Sequence, residues 1–542
     1  MSLKTLLLRN LIRYSKITNF APIIIQRQSY NKNERYNWSS SRNTAVALIA
    51  SVVIGSAAKD KEKENKKEDV EAGEKRPDLP TFTAEEVSKH DSKKSFWVIY
   101  KHGVYDVTSF LSSHPGGEQI LNAAGLSIEP FWNVYGMHKT KEIYELLESY
   151  RIGNLHDDDV VDHSDDEFWA KEPYRDKRLI IKTAKPFNAE IPPKLQIEHF
   201  NTPNELFYVR QHMPVPDINE NEHKLTVTIV GKTTTVNEFT MKDLSKFKPV
   251  TVNAALMCAG NRRSEMNKVK PVKGLSWTTG AISNAEWGGV LLRDVLLHCG
   301  LDTDNIDDKH VILTGADTDA SGTQFSTSMP LRDALGGVLL ATAMNGAPLP
   351  PDHGRPLRAV APGAPAVRSV KWLQSITIST EESSSHWHQK DYRSFNPSTT
   401  WETADFSTAP PVYSLPVTSA ICDPEDGETV TVKDGHIEVK GYAYSGGGAG
   451  VVRVDVSADG GASWRAARLR HAPARPAPPA RDYAWTLWSA RLPLAGRPGQ
   501  VEIWVKATDS NFNTQPEKFD DIWNIRGILS NAYHKIKVNI KY

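Results

Sequence analysis

The sequence predicts a multidomain α+β chain that ends in an all-β sandwich, and three stretches carry that reading. Residues 95–107 (Ser-Phe-Trp-Val-Ile-Tyr-Lys-His-Gly-Val-Tyr-Asp-Val) set aromatic and β-branched side chains at strand spacing on either side of a turn at 101–103. They lead into His-Pro-Gly-Gly at 114–117, where proline and glycine force a turn ahead of a helix, so this is a small α+β unit. From 173 to 408 short β-rich runs such as 225–230 mix with helices such as 291–298, the latter closed by Gly300. No regular β-α-β period and no Gly-x-Gly-x-x-Gly fingerprint appears there, which predicts an irregular mixed α/β domain. Beyond Pro410-Pro411, residues 451–457 alternate between apolar and polar from Val452 onward, and 501–507 keep Val, Ile and Val on one face. With glycine-rich turns at 446–448 and 459–461, that pattern predicts an immunoglobulin-like sandwich.

A chain of 542 residues is long enough for three or four domains. The expected divisions are 1–78, a targeting segment with a charged linker; 79–156, a first compact domain; 157–172, an acidic linker; 173–408, the mixed domain; and 409–542, the sandwich. A formal net charge of zero gives no support to a nucleic-acid partner. The three cysteines, Cys258, Cys299 and Cys422, cannot build a disulfide framework, and no Cys-x-x-Cys pair suggests zinc or an iron–sulfur cluster. Cys299 and Cys422 read as small core residues.

The first 33 residues carry Lys4, Arg9, Arg13, Lys16, Arg27 and Lys32 but no acid, the profile of a mitochondrial presequence. An uncharged run at 44–58 follows. It is short of the roughly 20 apolar residues that span a bilayer, so a cleaved sorting signal for the intermembrane space is expected and no retained membrane anchor. Residues 59–76 are a mixed-charge tract with little to bury, expected as a disordered or loosely helical linker.

In the first domain, His114 stands in the His-Pro-Gly-Gly turn and His138 follows 24 residues later, ahead of an amphipathic helix through Ile143, Leu146 and Leu147. One histidine before a helix is more often a cap or a surface residue. Two on facing helices can clamp a haem iron from both sides. The acidic stretch 157–167, with His156 and His163, lacks apolar periodicity and is expected to be a flexible tether that raises the effective concentration of this domain at the next.

In the mixed domain, Leu-Met-Cys-Ala-Gly-Asn-Arg-Arg-Ser-Glu-Met at 256–266 puts Cys258 beside a Gly-Asn turn and two guanidinium groups, Arg262 and Arg263. Positive charge nearby favours a thiolate, which is a soft metal ligand. On local sequence alone, a buried inert cysteine is an equal alternative. Further segments rich in groups that bind anions and heterocycles surround it: Phe207-Tyr208-Val209-Arg210-Gln211-His212, Gly315-Ala-Asp317-Thr-Asp319, Asp352-His353-Gly354-Arg355-Pro356-Leu357-Arg358 and Val370-Lys371-Trp372. They supply guanidinium forks, an imidazole, an ammonium and carboxylates, groups that bind phosphates and the polar edges of heterocycles.

These motifs, in this order from about Pro80 to the C-terminus, resemble the sulfite oxidases of animal type, in which a cytochrome b5-like α+β domain precedes a molybdopterin-binding domain of sulfite oxidase fold. The resemblance implies that His114 and His138 are axial ligands of a haem b, and that Cys258 is the protein's ligand to molybdenum. It implies substrate-binding roles for Arg210, Arg263, Trp277, Tyr392 and Arg526. Contacts to the pterin are implied for Phe207, Tyr208, Val209, Arg210, Gln211, His353, Arg358, Ser369, Val370, Lys371 and one of Asp317 and Asp319, with Asp317 favoured on register. Families of this type usually carry histidine where this chain has Ser369, and Pro-Gly-Ala-Pro-Ala-Val before it replaces a more glycine-rich loop, which puts one pterin contact in doubt. The implied reaction is oxidation of sulfite to sulfate, with electrons passed singly through the haem to cytochrome c. The implied setting is the intermembrane space, and the implied assembly a homodimer through the C-terminal domain. Eukaryotic nitrate reductases share the molybdenum and sandwich domains but place the haem domain after them, followed by a flavin domain. The stretch 468–481, rich in Ala, Pro and Arg, reads as a long exposed loop whose role the sequence does not reveal.

Overall fold

The computed structural model describes residues 71–542 apart from 115, 135–137, 162–171, 320, 474–480 and 495–498. The presequence, the run 44–58, most of the charged tract, His163 and most of the acidic stretch lie outside the described residues. Among the described residues no helix is long and apolar enough to cross a membrane.

The first domain is built on a five-stranded sheet of Thr81–Phe82, Arg151–Leu155, Gly103–Asp106, Ser95–Tyr100 and Asp91–Ser92, in that order. Its central hairpin pairs Trp97 with Asp106 and Tyr100 with Gly103 around Lys101, whose φ of 50° makes the tight turn. Phe96, Val98, Tyr105 and Trp132 fill its core, joined by Leu147 from the helix Lys141–Glu148. Leu146, expected on the buried stripe of that helix, is 41% exposed: Leu147 takes the core position and its neighbour is turned outward. The domain also starts before residue 79. Ala72 is buried, the Gly73 amide donates to Glu148 Oε1 at 3.0 Å, and Arg76 N donates to Asn154 Oδ1 at 2.8 Å. Residues 157–159 form a 3-10 turn capped by His156, and Asp159 Oδ2 accepts from Ala84 N at 2.8 Å, so the acidic stretch begins as part of this domain and not as tether.

The mixed domain has two five-stranded sheets and one small one. In the first, Thr235–Thr240, Lys224–Ile229, Leu373–Ser379, His310–Thr318 and Gln324–Pro330 lie side by side, and only the pairing of 224–229 with 373–379 is parallel. Leu225, Val227, Val311, Leu313, Ile376 and Ile378 bury one face of it against Leu292, Val295 and Leu296 of the helix Leu292–His298. The second sheet runs Pro249–Met257, Ile282–Leu291, Leu339–Met344 and Ala347–Pro348, with Arg358–Val360 also on 339–344. Its first strand ends at the residue before Cys258.

The C-terminal region is two sheets face to face. Thr418–Asp423, His436–Tyr444, Thr486–Pro493 and Arg468–Arg470 form one; Thr429–Thr431, His534–Lys541, Gly499–Asp509, Val451–Ser457 and Arg465–Ala466 form the other. Val439, Trp488 and Leu492 from the first meet Val454, Ile503 and Val538 from the second in one core. The first three residues of the expected 468–481 loop are therefore an edge strand, pairing Arg468 with Ser489 and Arg470 with Leu487.

Because this sandwich core is separate from that of the first domain, Ile503→Ala should destabilise the sandwich by about 2–5 kcal/mol through cavity formation. Calorimetry of the full chain should show the sandwich transition lowered while that of the first domain keeps its original temperature; a common downward shift of both would contradict the separation.

Candidate functional site

The second sheet delivers Cys258 to the floor of a cavity. Its backbone N–H donates to Ala281 O at 2.9 Å, continuing the ladder one residue past the strand, and its Sγ accepts from Gly260 N at 3.4 Å. The loop then turns sharply. A Cβ on Gly260 would stand 2.4 Å from Arg263 Nη2, so any larger residue there would displace that guanidinium. Asn261 is buried, accepting from Ala281 N at 3.0 Å and donating to the Tyr442 hydroxyl at 2.9 Å in the C-terminal sheet.

The two arginines part company here. Arg262 has φ 64°, which throws its side chain away from the thiol into the C-terminal domain, where it pairs with Glu265 and donates to Ser419 O at 3.1 Å and Ala532 O at 2.7 Å. The expected thiolate-stabilising pair is thus reduced to Arg263. That guanidinium is buried, donates to Gly527 O and Leu275 O at 2.9 Å each, and shares its electrostatic surroundings with Cys258, Tyr392, Arg526 and Arg210.

Cys258, Arg210 and Tyr392 share the wall of one cavity. Arg210, in the short strand Val209–Arg210, donates to Asn188 Oδ1 at 3.2 Å and to the Gln211 carbonyl. Tyr392 leaves the π-helical turn Trp387–Asp391 and places its hydroxyl 3.3 Å from His212 Nε2. Burial pushes the Tyr392 hydroxyl up to about 12, so it is protonated at neutral pH. Burial and the adjacent Arg210 and Lys371 hold His212 well below the usual imidazole range, so it is neutral. His212, which closes the 207–212 segment but was given no role from sequence, is also a wall residue. Trp277 is fully buried behind the wall and its indole N–H has no acceptor. Arg526 also stands behind it, paired with the Asp391 carboxylate at 2.6 Å.

The same cavity is also lined by Phe207, Tyr208, Gln211, Asp317, Asp352, His353, Arg358, Ser369, Val370 and Lys371. Val209 faces the opposite way, into a core with Phe187 and Leu206, as strand alternation requires. Asp317 and Asp319 differ clearly. Asp319 Oδ1 closes its own turn, accepting from Ser321 N, Ser321 Oγ and Thr323 N at 2.9, 2.6 and 3.0 Å. Asp317 is on the wall and its Oδ1 has no partner. Burial raises the Asp317 carboxyl and lowers the Lys371 ammonium, and the two interact. Burial also lowers His353 to about 4, leaving a neutral ring whose Nε2–H donates to Asn204 O at 3.0 Å. Arg358, lowered by burial to about 10 and still charged at neutral pH, donates to His353 O at 3.0 Å and Ser369 O at 2.9 Å with its guanidinium 4.9 Å over the Trp287 ring. Ser369 Oγ accepts from Ala361 N at 3.0 Å, so the residue standing in place of a histidine is tied to backbone.

These residues fit a pterin cofactor carrying a metal. Arg358 brings a buried positive charge and Arg210 and Lys371 half-buried cationic groups, while Gln211 Oε1 and Asp317 Oδ1 are buried polar atoms of the lining residues without partners. Each orphan of this kind costs about 1–3 kcal/mol, and an anionic, polar heterocycle ending at Cys258 would satisfy them. The first domain fits haem equally well. The His114 and His138 ring centres are 6.2 Å apart with planes within 9°. That is too wide for stacking contact and suits one metal ion about 2 Å from a nitrogen of each ring. A Cβ on Gly116 would come 2.8 Å from His114 Cε1, and Trp132 lies parallel to His138 at 5.6 Å.

His534 helps the C-terminal domain hold the Cys258 loop. Its Nδ1 accepts from Ile421 N at 3.0 Å and its Nε2 lies 3.8 Å from Glu265, the partner of Arg262. Burial first, with Arg262 adding and Glu265 opposing, lowers it to about 4. Between about pH 6.5 and about pH 4 the unfolded chain binds a proton that the native ring does not, so its contribution to stability is present above that window and lost as pH falls through it. The melting temperature of His534→Gln should therefore fall less steeply than wild type across that window; an identical slope would contradict this.

Comparison with known proteins matches three family descriptions: a cytochrome b5-like haem/steroid binding domain over residues 83–156, an oxidoreductase molybdopterin binding domain over 212–387, and a Mo-co oxidoreductase dimerisation domain over 409–541. The mitochondrial sulfite oxidase of Drosophila melanogaster is 51% identical over 477 residues, covering 86% of this chain and 82% of that one. The sulfite oxidase of Gallus gallus is 46% identical over 85% of this chain and all of its own length. An inducible nitrate reductase of Glycine max is 36% identical over 71% of this chain but only 44% of its own. The sulfane dehydrogenase SoxCD of Paracoccus pantotrophus shares the fold, with a TM-score of 0.54 and 24% identity over 68% of this chain and 90% of that one. With identity this high along most of both chains, and with a cavity and a histidine pair suited to molybdopterin and haem, the chain belongs to the sulfite oxidase family.

Proposed function

We propose that this protein oxidises sulfite to sulfate at a molybdenum ion held by Cys258, and passes the electrons one at a time through a haem b held by His114 and His138 to cytochrome c. The observation that carries the reading is the meeting of Cys258, Arg210 and the Tyr392 hydroxyl on one cavity wall. When bound, the molybdenum centre supplies oxygen-atom transfer and two-electron chemistry. The chain's own residues bind and orient an oxyanion beside it. Arg210 stays charged and forks onto the anion. Tyr392, protonated at neutral pH, is a hydrogen-bond donor once His212 takes the tautomer whose Nε2–H donates to its oxygen. Arg263 adds positive charge behind Cys258, and the Trp277 indole N–H is an unpartnered donor. Arg526 joins the anion site if it exchanges Asp391 for substrate. In the same cavity Asp317, His353, Arg358, Ser369, Val370 and Lys371, with Phe207, Tyr208 and Gln211, hold the pterin; Val209 supports them from the core.

The named mitochondrial relatives and the acid-free N-terminal segment support import into the intermembrane space, with residues 44–58 removed on maturation. The dimerisation-domain match supports a homodimer formed through 409–542, beside a haem domain that begins before residue 79 and runs to 159 and a molybdenum domain at 173–408.

Steady-state kinetics with sulfite and metal analysis on the same preparation test the assignment. Arg210→Gln removes one charge-assisted hydrogen bond, about 1.5–3 kcal/mol, so kcat/KM should fall roughly tenfold to over a hundredfold while molybdenum content falls far less. Cys258→Ser should abolish turnover even at saturating sulfite. An unchanged kcat/KM in Arg210→Gln, or a metal-free protein, would show that Arg210 does not face substrate.

A further inference from the structure

We propose that Arg175, near the N-terminal start of the molybdenum domain, is a positioning residue that locks the cofactor in its cavity by clamping Asp352. The inference rests on the reading of Asp352, His353 and Lys371 as the pterin wall. Arg175 lies outside the cavity and touches none of the groups that would meet substrate. Its Nε and Nη2 donate to the two oxygens of the Asp352 carboxylate at 2.9 and 2.8 Å, a bidentate fork across 177 positions of sequence. Gln211 Nε2 adds a third donor to Asp352 at 2.7 Å. The side chains of Arg175 and Asp352 are only 12% and 9% exposed, and the Arg175 guanidinium stacks 4.1 Å over the Phe187 ring, so the pair is both geometrically defined and shielded. On the other side Arg175 meets Glu172, whose Oε1 accepts from Val215 N at 3.1 Å. The fork is thus anchored to the backbone that follows the Arg210–His212 segment.

Asp352 links this clamp to the cofactor wall. Its carbonyl accepts from Lys371 Nζ at 3.0 Å, and the next residue is His353, whose carbonyl accepts from Arg358. One short 3-10 turn, Pro351–His353, therefore sets Lys371, Arg358 and His353 at once, and among the described residues its carboxylate is held by Arg175 and Gln211. Without Arg175 the Asp352 carboxylate would be left as a poorly paired buried anion next to Lys371. The low-cost escape is rotation of the turn and capture of the Lys371 ammonium, which withdraws that ammonium from the cavity.

The test uses full-length protein loaded with both cofactors and follows release of pterin, by fluorescence of its oxidised form, at a temperature well below unfolding. Haem content normalises the samples. Arg175→Gln should release pterin roughly tenfold faster than wild type or more, as loss of one charge-assisted hydrogen bond implies. Its KM for sulfite in the fraction still loaded should be unchanged, and its melting temperature without pterin should stay close to that of wild-type protein without pterin. Arg175→Lys, which keeps the charge and loses the fork, should release at an intermediate rate. Lys371→Ala serves as the control for the wall itself. Rapid release from Lys371→Ala with wild-type release from Arg175→Gln overturns the clamp and leaves the wall standing; wild-type retention in both overturns the wall. If Arg175→Gln does not fold, Arg175→Lys decides, and wild-type retention in that variant overturns the proposal.

Discussion

A guanidinium buried without a carboxylate has to be solvated by carbonyl oxygens, and the molybdenum domain does this repeatedly around one cavity. Arg263 uses Gly527 O and Leu275 O, and Arg358 uses His353 O and Ser369 O. A carbonyl satisfies the N–H groups and leaves the charge uncancelled. An ion pair at each site would have been simpler to bury and would have left the cavity neutral. The outcome is a pocket whose positive charge remains available to an anionic cofactor and an anionic substrate, fixed before either arrives. One of those carbonyls belongs to Gly527, whose φ of 57° and close approach to Val272 favour glycine.

The same requirement explains why the C-terminal sandwich belongs to the site. Where Arg262 leaves the Cys258 loop, carbonyls of Ser419 and Ala532 receive it, and the Tyr442 hydroxyl receives Asn261. These contacts hold the loop from behind, so the thiol position is determined by two domains. A change in the sandwich core can be expected to reach Cys258 through this set of hydrogen bonds and through no direct contact with the cavity.

Much of the fold was legible where one period dominates. The strand at 501–507 alternates cleanly because it has one dry face, whereas the hairpin at 95–106 was legible from its aromatic and β-branched residues although both its faces are buried, Val98 and Tyr105 in one core and Ile99 and Val104 in another. The helix at 141–148 was legible as an element, but which of Leu146 and Leu147 faces in depends on the neighbours it meets. At the site, residue types revealed the chemistry and backbone geometry decided the directions. Arg262 and Arg263 are equivalent as text, and a left-handed φ at Arg262 separates them. Asp319 carries a local cue that could have distinguished it from Asp317, since serine and threonine two and four residues on satisfy its carboxylate within its own turn. Arg175 carried no cue, because its partner Asp352 is brought to it only by the tertiary fold.

The central claim is that one chain couples oxidation at the Cys258 cavity to a haem held by His114 and His138. Anaerobic addition of sulfite to the doubly loaded protein, with the haem absorbance followed in a stopped-flow instrument, tests it most directly. Sulfite should reduce the haem in wild-type protein and fail to do so in Cys258→Ser with its haem intact. A haem that stays oxidised in fully molybdenum-loaded wild-type protein, or one reduced equally well in Cys258→Ser, would contradict the account.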